Sequence, residues 1–228
     1  MTLEITMKIK QLLSLLLLSL LASIYSHTAA APFEKEKFLI CNVSQGSPGE
    51  RSATSDVLIF KEQNVVSKHV RSYLEFNVFD REVEMLMRLR NFKHVPKILA
   101  VDFEDNTIYM EYAGERLTKD NLPANWENQV KDIINGLRAL GIQHNDIKNA
   151  EVLVKNGTIM VVDYGWASKF GQPTDPSWPS GLGASYKAPW GFDDRFSIIK
   201  AILTAKNNGI SPSNDQVEAE MNRLFGPR

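Results

Sequence analysis

Two short stretches in the middle of the chain carry side chains that suit phosphate chemistry. Residues 141–154 place Asp146 and Lys148 in a polar loop that leads into a predicted strand. Residues 159–165 form a second predicted strand followed by Asp163, and a short polar turn joins the two strands. Carboxylates at the mouths of such a hairpin, one of them beside a lysine, suit a site that orients a hydroxyl and holds Mg²⁺ against a phosphate chain.

The order and spacing of these residues resemble the catalytic loop (His-Arg-Asp…Asn) and the metal loop (Asp-Phe-Gly) of the protein-kinase superfamily. His144 and Asp146 stand at the positions of that histidine and aspartate, and Lys148 stands at the position of the loop lysine of serine/threonine kinases. The resemblance implies that Asp146 accepts the proton of an acceptor hydroxyl, Lys148 steadies the transferred phosphoryl group and Asp163 holds Mg²⁺. A chance hairpin with two exposed aspartates is the alternative.

One position departs from the kinase pattern. Kinases have an asparagine that binds a second Mg²⁺ where this chain has Glu151, and the nearest asparagine in the sequence is Asn149. Glutamate is a hard oxygen ligand for Mg²⁺. Its charge beside Asp163 favours metal binding but raises a carboxyl pKa when the metal is absent. The substitution is compatible with residual or altered activity, and equally with an inactive protein.

The first half of the chain is predicted to be mainly β-structure. Its first strands are residues 38–43, 56–60 and 65–70, the last two joined as a hairpin. The turn-rich residues 44–50 are predicted to form a loop. This loop resembles a degraded kinase glycine loop, which would make Gly46 and Gly49 nucleotide-contacting residues. A plain surface turn explains the same residues.

Lys68 ends a segment that resembles the kinase Val-Ala-Ile-Lys, whose lysine pairs with the α- and β-phosphates of ATP. Lys61 is the competing lysine, but it falls in the predicted turn and is expected to face solvent. A helix is predicted from about residue 74 to 92, with Glu82 at the border of its buried face. A carboxylate there is costly unless it is paired, so we predict a Lys68–Glu82 ion pair, as in kinases. A solvated Lys68 and a Glu82 beside an arginine are the alternatives.

Residues 95–103 and 107–112 read as two further strands. Residues 110–114 resemble the kinase hinge, whose backbone groups form hydrogen bonds with adenine. The resemblance implies that Glu111 and Tyr112 contact the nucleotide, although contact through backbone atoms leaves little signature in the side chains.

The second half is predicted to be mainly helical. A helix runs from about Trp126 to Leu140, and Gly141 ends it. Asn145 replaces the kinase arginine that answers a phosphate on the activation loop, which argues against control by such a phosphorylation. Asp194 matches the buried aspartate that ties down the catalytic-loop backbone in kinases, and capping of the next helix is an alternative role.

The region after Asp194 indicates a reduced C-lobe. Trp190 stands where kinases have the glutamate of Ala-Pro-Glu, and 34 residues follow Asp194 where typical kinases have several more helices. We therefore expect little of the usual peptide-docking platform. That expectation favours a sugar, a lipid headgroup or another non-peptide acceptor.

The composition sets limits on the class of protein. The chain has 228 residues, 43% of them hydrophobic, which suffices for one core or two small lobes. Its 26 basic and 27 acidic residues argue against nucleic acid or an anionic membrane as the main partner. The order of a basic start, an apolar run over residues 12–24 and small residues over 28–31 predicts a secretory signal peptide. A signal anchor and a true start at Met7 are the alternatives. Cys41 is the only cysteine, so no internal disulfide forms.

These observations predict an α+β chain with a bilobal protein-kinase-like fold. The predicted parts are a signal peptide (residues 1–30), a small β-rich N-lobe (33–112) and a reduced, mainly helical C-lobe (113–228). The resemblance implies transfer of the γ-phosphoryl group of ATP, with Mg²⁺, to a hydroxyl of a protein or carbohydrate acceptor in the secretory pathway or outside the cell. The rival hypotheses are an inactive or weak pseudokinase that acts as a nucleotide-binding scaffold, and an exported or membrane-anchored interaction protein.

Overall fold

The computed structural model describes residues 47–49, 54–71, 77–172, 178–179 and 181–227. These residues form antiparallel sheets and four α-helices, so the predicted α+β class is confirmed. The predicted signal peptide, the first predicted strand (residues 38–43) and Gly46 lie outside the described residues. Among the described helices, none is long and apolar enough to cross a membrane.

The larger sheet is antiparallel and has the strand order β1-β2-β3-β5-β4. Its strands are β1 (Ser47–Pro48), β2 (Ser55–Phe60), β3 (Val65–Val70), β4 (Ile98–Asp102) and β5 (Thr107–Glu111). The predicted hairpins β2–β3 and β4–β5 are both present. Their turns contain Asn64 and Asn106 with φ of 56° and 48°, a conformation that asparagine tolerates well. Lys61 lies in the first turn and is exposed, as predicted.

The edges of this sheet differ from the predictions. The prediction of a loop over residues 44–50 is wrong at Ser47 and Pro48, because these two residues form strand β1, which pairs with β2. Proline signals a turn in the sequence, but on an edge strand its missing N–H costs no ladder hydrogen bond. Strand β4 begins at Ile98 rather than at residue 95, because Pro96 has no N–H to donate to the ladder.

Helix α1 (Val78–Arg88) is shorter than the predicted helix over residues 74–92. Asn77 precedes it with φ 51° and ψ 41°, a left-handed conformation that cannot continue the helix, so the predicted start is wrong. Leu89 is the C-cap, and the chain continues through tighter turns after it. The predicted apolar face is confirmed, because Phe79 and Leu86 are buried on it.

The rest of the chain begins with the elements that frame the predicted catalytic loop. They are β6 (Glu115–Arg116), α2 (Trp126–Ala139), β7 (Ile142–Gln143), β8 (Val152–Lys155), β9 (Thr158–Val161), a 3₁₀ turn (Tyr164–Trp166) and β10 (Ser168–Lys169). Helix α2 ends as predicted, with Gly141 at φ 68° after it. The predicted hairpin of two strands is β8–β9, whose turn uses positive φ at Asn156 and Gly157. Strand β6 joins this hairpin as a third strand.

Helices α3 (Asp194–Lys206) and α4 (Asn214–Phe225) follow. Helix α3 is buried on most of its surface, and Phe196, Ile198 and Ile202 are fully inaccessible. Such a helix fits the centre of a core and not its surface. It belongs to one continuous apolar cluster with α2 and the β8–β9 hairpin. This cluster gives the predicted catalytic loop, between β7 and β8, a rigid support.

The buried Gln129 of α2 fixes the position of the β8–β9 hairpin. Its side-chain amide donates to Gly157 O at 2.8 Å, and its carbonyl accepts from Ile159 N at 2.8 Å. A buried amide that satisfies both backbone groups is stabilising, because each group left unpaired costs about 1–3 kcal/mol. The hairpin therefore keeps a defined register against the helix.

Candidate active site

A cavity of about 450 Å³ lies between the larger sheet and the β6-β8-β9 sheet. The predicted site residues Gly49, Lys68, Glu82, Glu111, Tyr112, Lys148, Glu151 and Asp163 all line it. Gly46 lies outside the described residues. Asp146 does not line the cavity, but it contacts Lys148, which does.

Lys68 of β3 connects two carboxylates at the inner end of the cavity. Its ammonium donates to both Glu82 oxygens at 2.8 and 2.7 Å and to Asp163 Oδ1 at 2.7 Å. Lys68 is 6% exposed and Glu82 is 1% exposed. The predicted Lys68–Glu82 pair is therefore confirmed as a contact. The contact with Asp163 joins residues that are 95 positions apart in the chain.

Burial and charge oppose each other in this group. Burial lowers the pKa of Lys68, but Asp163 and Glu82 outweigh it and the net pKa is raised. Burial raises the pKa of Glu82 to about 6 despite the ammonium. Burial also favours a higher pKa for Asp163, but Lys68 outweighs it and holds the pKa below its ordinary value. Asp163 is thus the more firmly ionised carboxylate of the two.

The turn after Asp163 packs closely on helix α1. Asp163 has φ 65°, and a Cβ placed on Gly165 would lie 2.4 Å from Val78 Cγ1. Only a residue without a side chain allows this approach. The backbone of Tyr164 also donates a hydrogen bond to Glu82. The turn and the helix are therefore held together directly beside the Lys68 ammonium.

Asp194 anchors the backbone of the predicted catalytic loop. Its carboxylate accepts from His144 N at 2.7 Å and from Asn145 N at 3.0 Å. The predicted anchoring contact is thus present, and the capping role falls to Asp193, whose side chain accepts from Arg195 N. Asn145 adopts φ 69° and donates to Trp166 O at 2.9 Å. Asn145 therefore ties the loop to the turn after Asp163.

Lys148 bridges the other two carboxylates. Its ammonium lies 2.9 Å from Asp146 Oδ2 and 3.3 Å from Glu151 Oε1. Asp146 is only 4% exposed. Glu151 Oε2 is buried and has no hydrogen-bond partner among the described residues. Burial raises the pKa of Glu151 to about 8, and Asp163 and Asp146 add to the rise although Lys148 opposes it.

The described residues contain no group of three or more histidine, cysteine or acidic side chains arranged to hold a metal ion. Magnesium sites in phosphate-transfer proteins commonly use one or two carboxylates together with phosphate oxygens and water. Asp163 and Glu151 both line the cavity and provide oxygens of that kind.

The outer wall of the cavity contains the predicted hinge residues. The backbone N–H of Glu111 donates to Lys97 O at 2.9 Å, and that of Tyr112 donates to Asn64 O at 3.0 Å. These two N–H groups are therefore occupied within the chain. Ala113 and Gly114, which also fall within the predicted hinge of residues 110–114, line the same wall.

Sequence reasoning missed Val57, Val66 and Leu153, whereas Met110 and Gly114 fall within the predicted hinge of residues 110–114. Val57, Val66, Met110 and Leu153 provide its apolar lining. A Cβ on Gly114, which has φ +100°, would lie 2.1 Å from Val154 O, so glycine is required where two backbones cross. The glycine after the predicted strand was the available signal for this crossing.

No protein-family model and no curated protein matches this chain.

Proposed function

We propose that this protein is an ATP-dependent phosphotransferase with a bilobal, protein-kinase-like fold, which transfers the γ-phosphoryl group to a hydroxyl of a protein or carbohydrate. The observation that carries the proposal is the Lys68 ammonium, held between Glu82 and Asp163 on the wall of a cavity that also contains Lys148. A buried lysine held between two carboxylates beside an open cavity fits the binding of a phosphate chain together with a cation, because the carboxylate charges outweigh that of the ammonium.

The cavity suits a nucleotide in size and in lining. Its volume of about 450 Å³ falls in the range of small-molecule sites. Val57, Val66, Met110 and Leu153 offer apolar walls for a flat base. Lys68 offers positive charge at the inner end for phosphate groups. The apolar and cationic parts of one cavity thus match the two halves of ATP.

The acidic residues fit Mg²⁺ as the accompanying ion. Asp163 and Glu151 are hard oxygen donors in the same cavity, and Glu151 Oε2 is a buried acceptor with no partner among the described residues. When bound, Mg²⁺ supplies neutralisation of phosphate charge. Asp163 and Glu151 are the residues that would hold it.

The remaining residues would position the reacting hydroxyl. Asp146 would accept the proton of the acceptor while the acceptor oxygen bonds to the γ-phosphorus and the bond to the bridging oxygen of ADP breaks. Lys148, which contacts Asp146 at 2.9 Å, would stay beside the transferred group and balance its charge. Positioning and charge neutralisation supply most of the rate enhancement in this chemistry.

The test is Mg²⁺-dependent transfer from γ-labelled ATP to a panel of peptide and sugar acceptors. Asp146→Asn is expected to lose at least about 10²-fold, because a general base contributes about 10²–10⁴-fold. Asp163→Ala is expected to lose orders of magnitude because it removes the proposed metal ligand. Asp132→Asn is the matched control, since Asp132 is an exposed partner of Lys93. Equal rates for the parent and both site variants would refute the assignment.

A pseudokinase is the second candidate, and Glu151 is the observation that favours it. The glutamate stands where kinases have the asparagine, and burial raises its pKa to about 8, so at neutral pH the side chain is largely protonated when no cation is bound. Lys148 is also already neutralised by two carboxylates. Thermal stabilisation by ATP without turnover would select a nucleotide-binding scaffold.

We also propose entry into the secretory route on the strength of the N-terminal residue pattern. Mass spectrometry of the mature N-terminus tests this. Loss of about 30 residues is expected for a cleaved signal peptide, whereas an intact N-terminus in a membrane fraction would support the anchored interaction protein.

A further inference from the structure

Arg81 occupies a junction between three separate parts of the chain. It lies on α1 directly before Glu82, and its Nη1 donates to Gly165 O at 3.2 Å. Its guanidinium carbon lies 5.0 Å from the centre of the Trp178 ring. Trp178 in turn meets Trp166 edge to face, with ring centres 5.8 Å apart. Helix α1, the turn after Asp163 and the later loop therefore converge on one side chain.

The guanidinium chemistry fits this junction. A planar guanidinium can lie against an aromatic ring and donate in its own plane at the same time, which a lysine ammonium cannot do with the same geometry. Arg81 and Trp178 are both half-buried, so water screens the contact less than at an open surface. The pair is therefore suited to hold a defined geometry.

The position of Arg81 on α1 determines what the junction controls. Neighbouring residues on a helix point about 100° apart, so fixing Arg81 fixes the rotation of the helix and with it the direction of Glu82. A rotation of about 10° moves a group ~6 Å from the helix axis by ~1 Å. Such a movement is enough to break contacts of 2.7–2.8 Å between Glu82 and Lys68.

We propose that Arg81, held between the Gly165 carbonyl and the Trp178 ring, is a positioning residue that orients Glu82 and so sets the Lys68–Glu82–Asp163 geometry for phosphate binding. The phosphate-binding part of this inference rests on the proposed function. The junction itself does not, because it is a contact between helix, turn and loop.

The experiment compares Arg81→Ala and Trp178→Leu with the parent, and Trp178→Phe as the variant that keeps an aromatic face. Arg88→Ala is the matched control, because Arg88 lies on the same helix and, within the described part of the chain, pairs across the helix surface with Glu84 at 2.7 Å. Trp178 lies in a loop and not on a helix, so Trp178→Leu leaves α1 itself unchanged and provides a second disruptive variant if Arg81→Ala does not fold.

The first measurement is amide hydrogen exchange of the turn Tyr164–Trp166 and of the following Ala167, whose N–H donates to Tyr164 O at 3.0 Å. It needs no nucleotide. Exchange is expected to accelerate in Arg81→Ala and Trp178→Leu and to stay at the parental rate in Trp178→Phe and Arg88→Ala. Unchanged exchange in both disruptive variants overturns the inference, whether or not the protein binds ATP.

The second measurement is MgADP affinity by calorimetry, in the parent and in a Glu82→Gln background. Couplings of this kind change affinity by about 2- to 30-fold. We expect Arg81→Ala to weaken binding within that range in the parent background and to have little effect once Glu82 is neutralised. An equal loss in both backgrounds means that Arg81 does not act through Glu82 and overturns the positioning role. A parent that binds no nucleotide contradicts the proposed function, and the exchange measurement then decides the junction alone.

Discussion

Replacing Glu151 by glutamine tests how the cavity accommodates a buried acidic side chain, one oxygen of which has no hydrogen-bond partner among the described residues. Burial raises the pKa of Glu151 from its ordinary value of 4.5 to about 8. The folded protein therefore binds a proton at Glu151 in a pH range where the unfolded chain has released it. The free energy of unfolding falls through this window as the pH rises, and the cost of ionisation is complete only above the folded-state pKa.

The magnitude follows from linkage. Each pH unit between the two pKa values costs about 1.4 kcal/mol, so Glu151 destabilises the fold by about 1 kcal/mol at pH 5 and about 3 kcal/mol at pH 7. Glutamine keeps the size of the side chain and cannot ionise. Glu151→Gln is therefore expected to gain stability relative to the parent by an amount that grows with pH over this range. The new amide beside Lys148 can also change the stability by an amount that does not depend on pH. Such a change leaves the pH dependence of the stability difference unaffected.

The assay is urea denaturation followed by tryptophan fluorescence at pH 5, 6 and 7, without Mg²⁺ and without nucleotide. Glu84→Gln is the matched control, because Glu84 is an exposed partner of Arg88 and surface ion pairs contribute about 0–1 kcal/mol. Its effect is expected to be small and flat with pH. A stability difference for Glu151→Gln that is constant, or that shrinks as the pH rises, would show that the carboxyl is not held protonated in the fold.

Three further substitutions probe the contacts around the cavity by the same denaturation assay. Gly165→Ala is expected to lower the free energy of unfolding by about 1–3 kcal/mol through overpacking, because the new Cβ would lie 2.4 Å from a valine methyl of α1. Gly181→Ala is the control, since its Cβ meets nothing within 4 Å. Equal losses in the two variants would contradict the prediction. Asp194→Ala is expected to lower the free energy of unfolding by about 2–5 kcal/mol, because the backbone N–H groups of His144 and Asn145 lose their acceptor. A loss below about 1 kcal/mol would argue against this anchoring role of Asp194. Lys68→Met leaves buried carboxylates uncompensated at a cost of about 3–5 kcal/mol near neutral pH. That cost is expected to shrink as the pH falls, because Glu82 and Asp163 lose the ammonium that favours their charged forms and so protonate more readily in the variant than in the parent; a cost independent of pH would refute the pairing.

Local pattern predicted the elements of the fold well and their ends poorly. Alternating and helical periodicities identified the β2–β3 and β8–β9 hairpins and helix α2. The start of α1 was wrong because Asn77 adopts a left-handed conformation, which no periodicity reveals. Strand β1 was missed because its pairing depends on β2, and a serine–proline pair has no intrinsic preference for a strand.

Some contacts of the site could be predicted from the sequence. The resemblance to the kinase motifs suggested pairs of residues that are distant in the chain, which helix and strand periodicity cannot do. Lys68 and Glu82 were paired from the cost of leaving a carboxylate unpaired at a buried face, and this contact is present. The approach of Asp163 to Lys68 spans 95 residues and depends on how sheet and turn pack. The burial of Asp146 and the Arg81–Trp178 contact likewise arise only from tertiary packing, so no spacing rule could have found them.

The charges in the cavity explain why its residues titrate so differently. Lys68 and Lys148 face four carboxylates, those of Glu82, Asp163, Asp146 and Glu151. Full ionisation would leave an excess of negative charge in a largely buried place, which is unfavourable without a further cation. Asp163 stays ionised because the Lys68 ammonium lowers its pKa. Glu151 instead has a raised pKa, and its second oxygen has no hydrogen-bond partner among the described residues. The proton at Glu151 thus lowers the negative charge of the cavity, and a cation that binds the Glu151 carboxylate together with Asp163 would displace this proton. Cation binding is therefore expected to release a proton and to strengthen as the pH rises towards 8, which calorimetry in buffers of different ionisation enthalpy would detect.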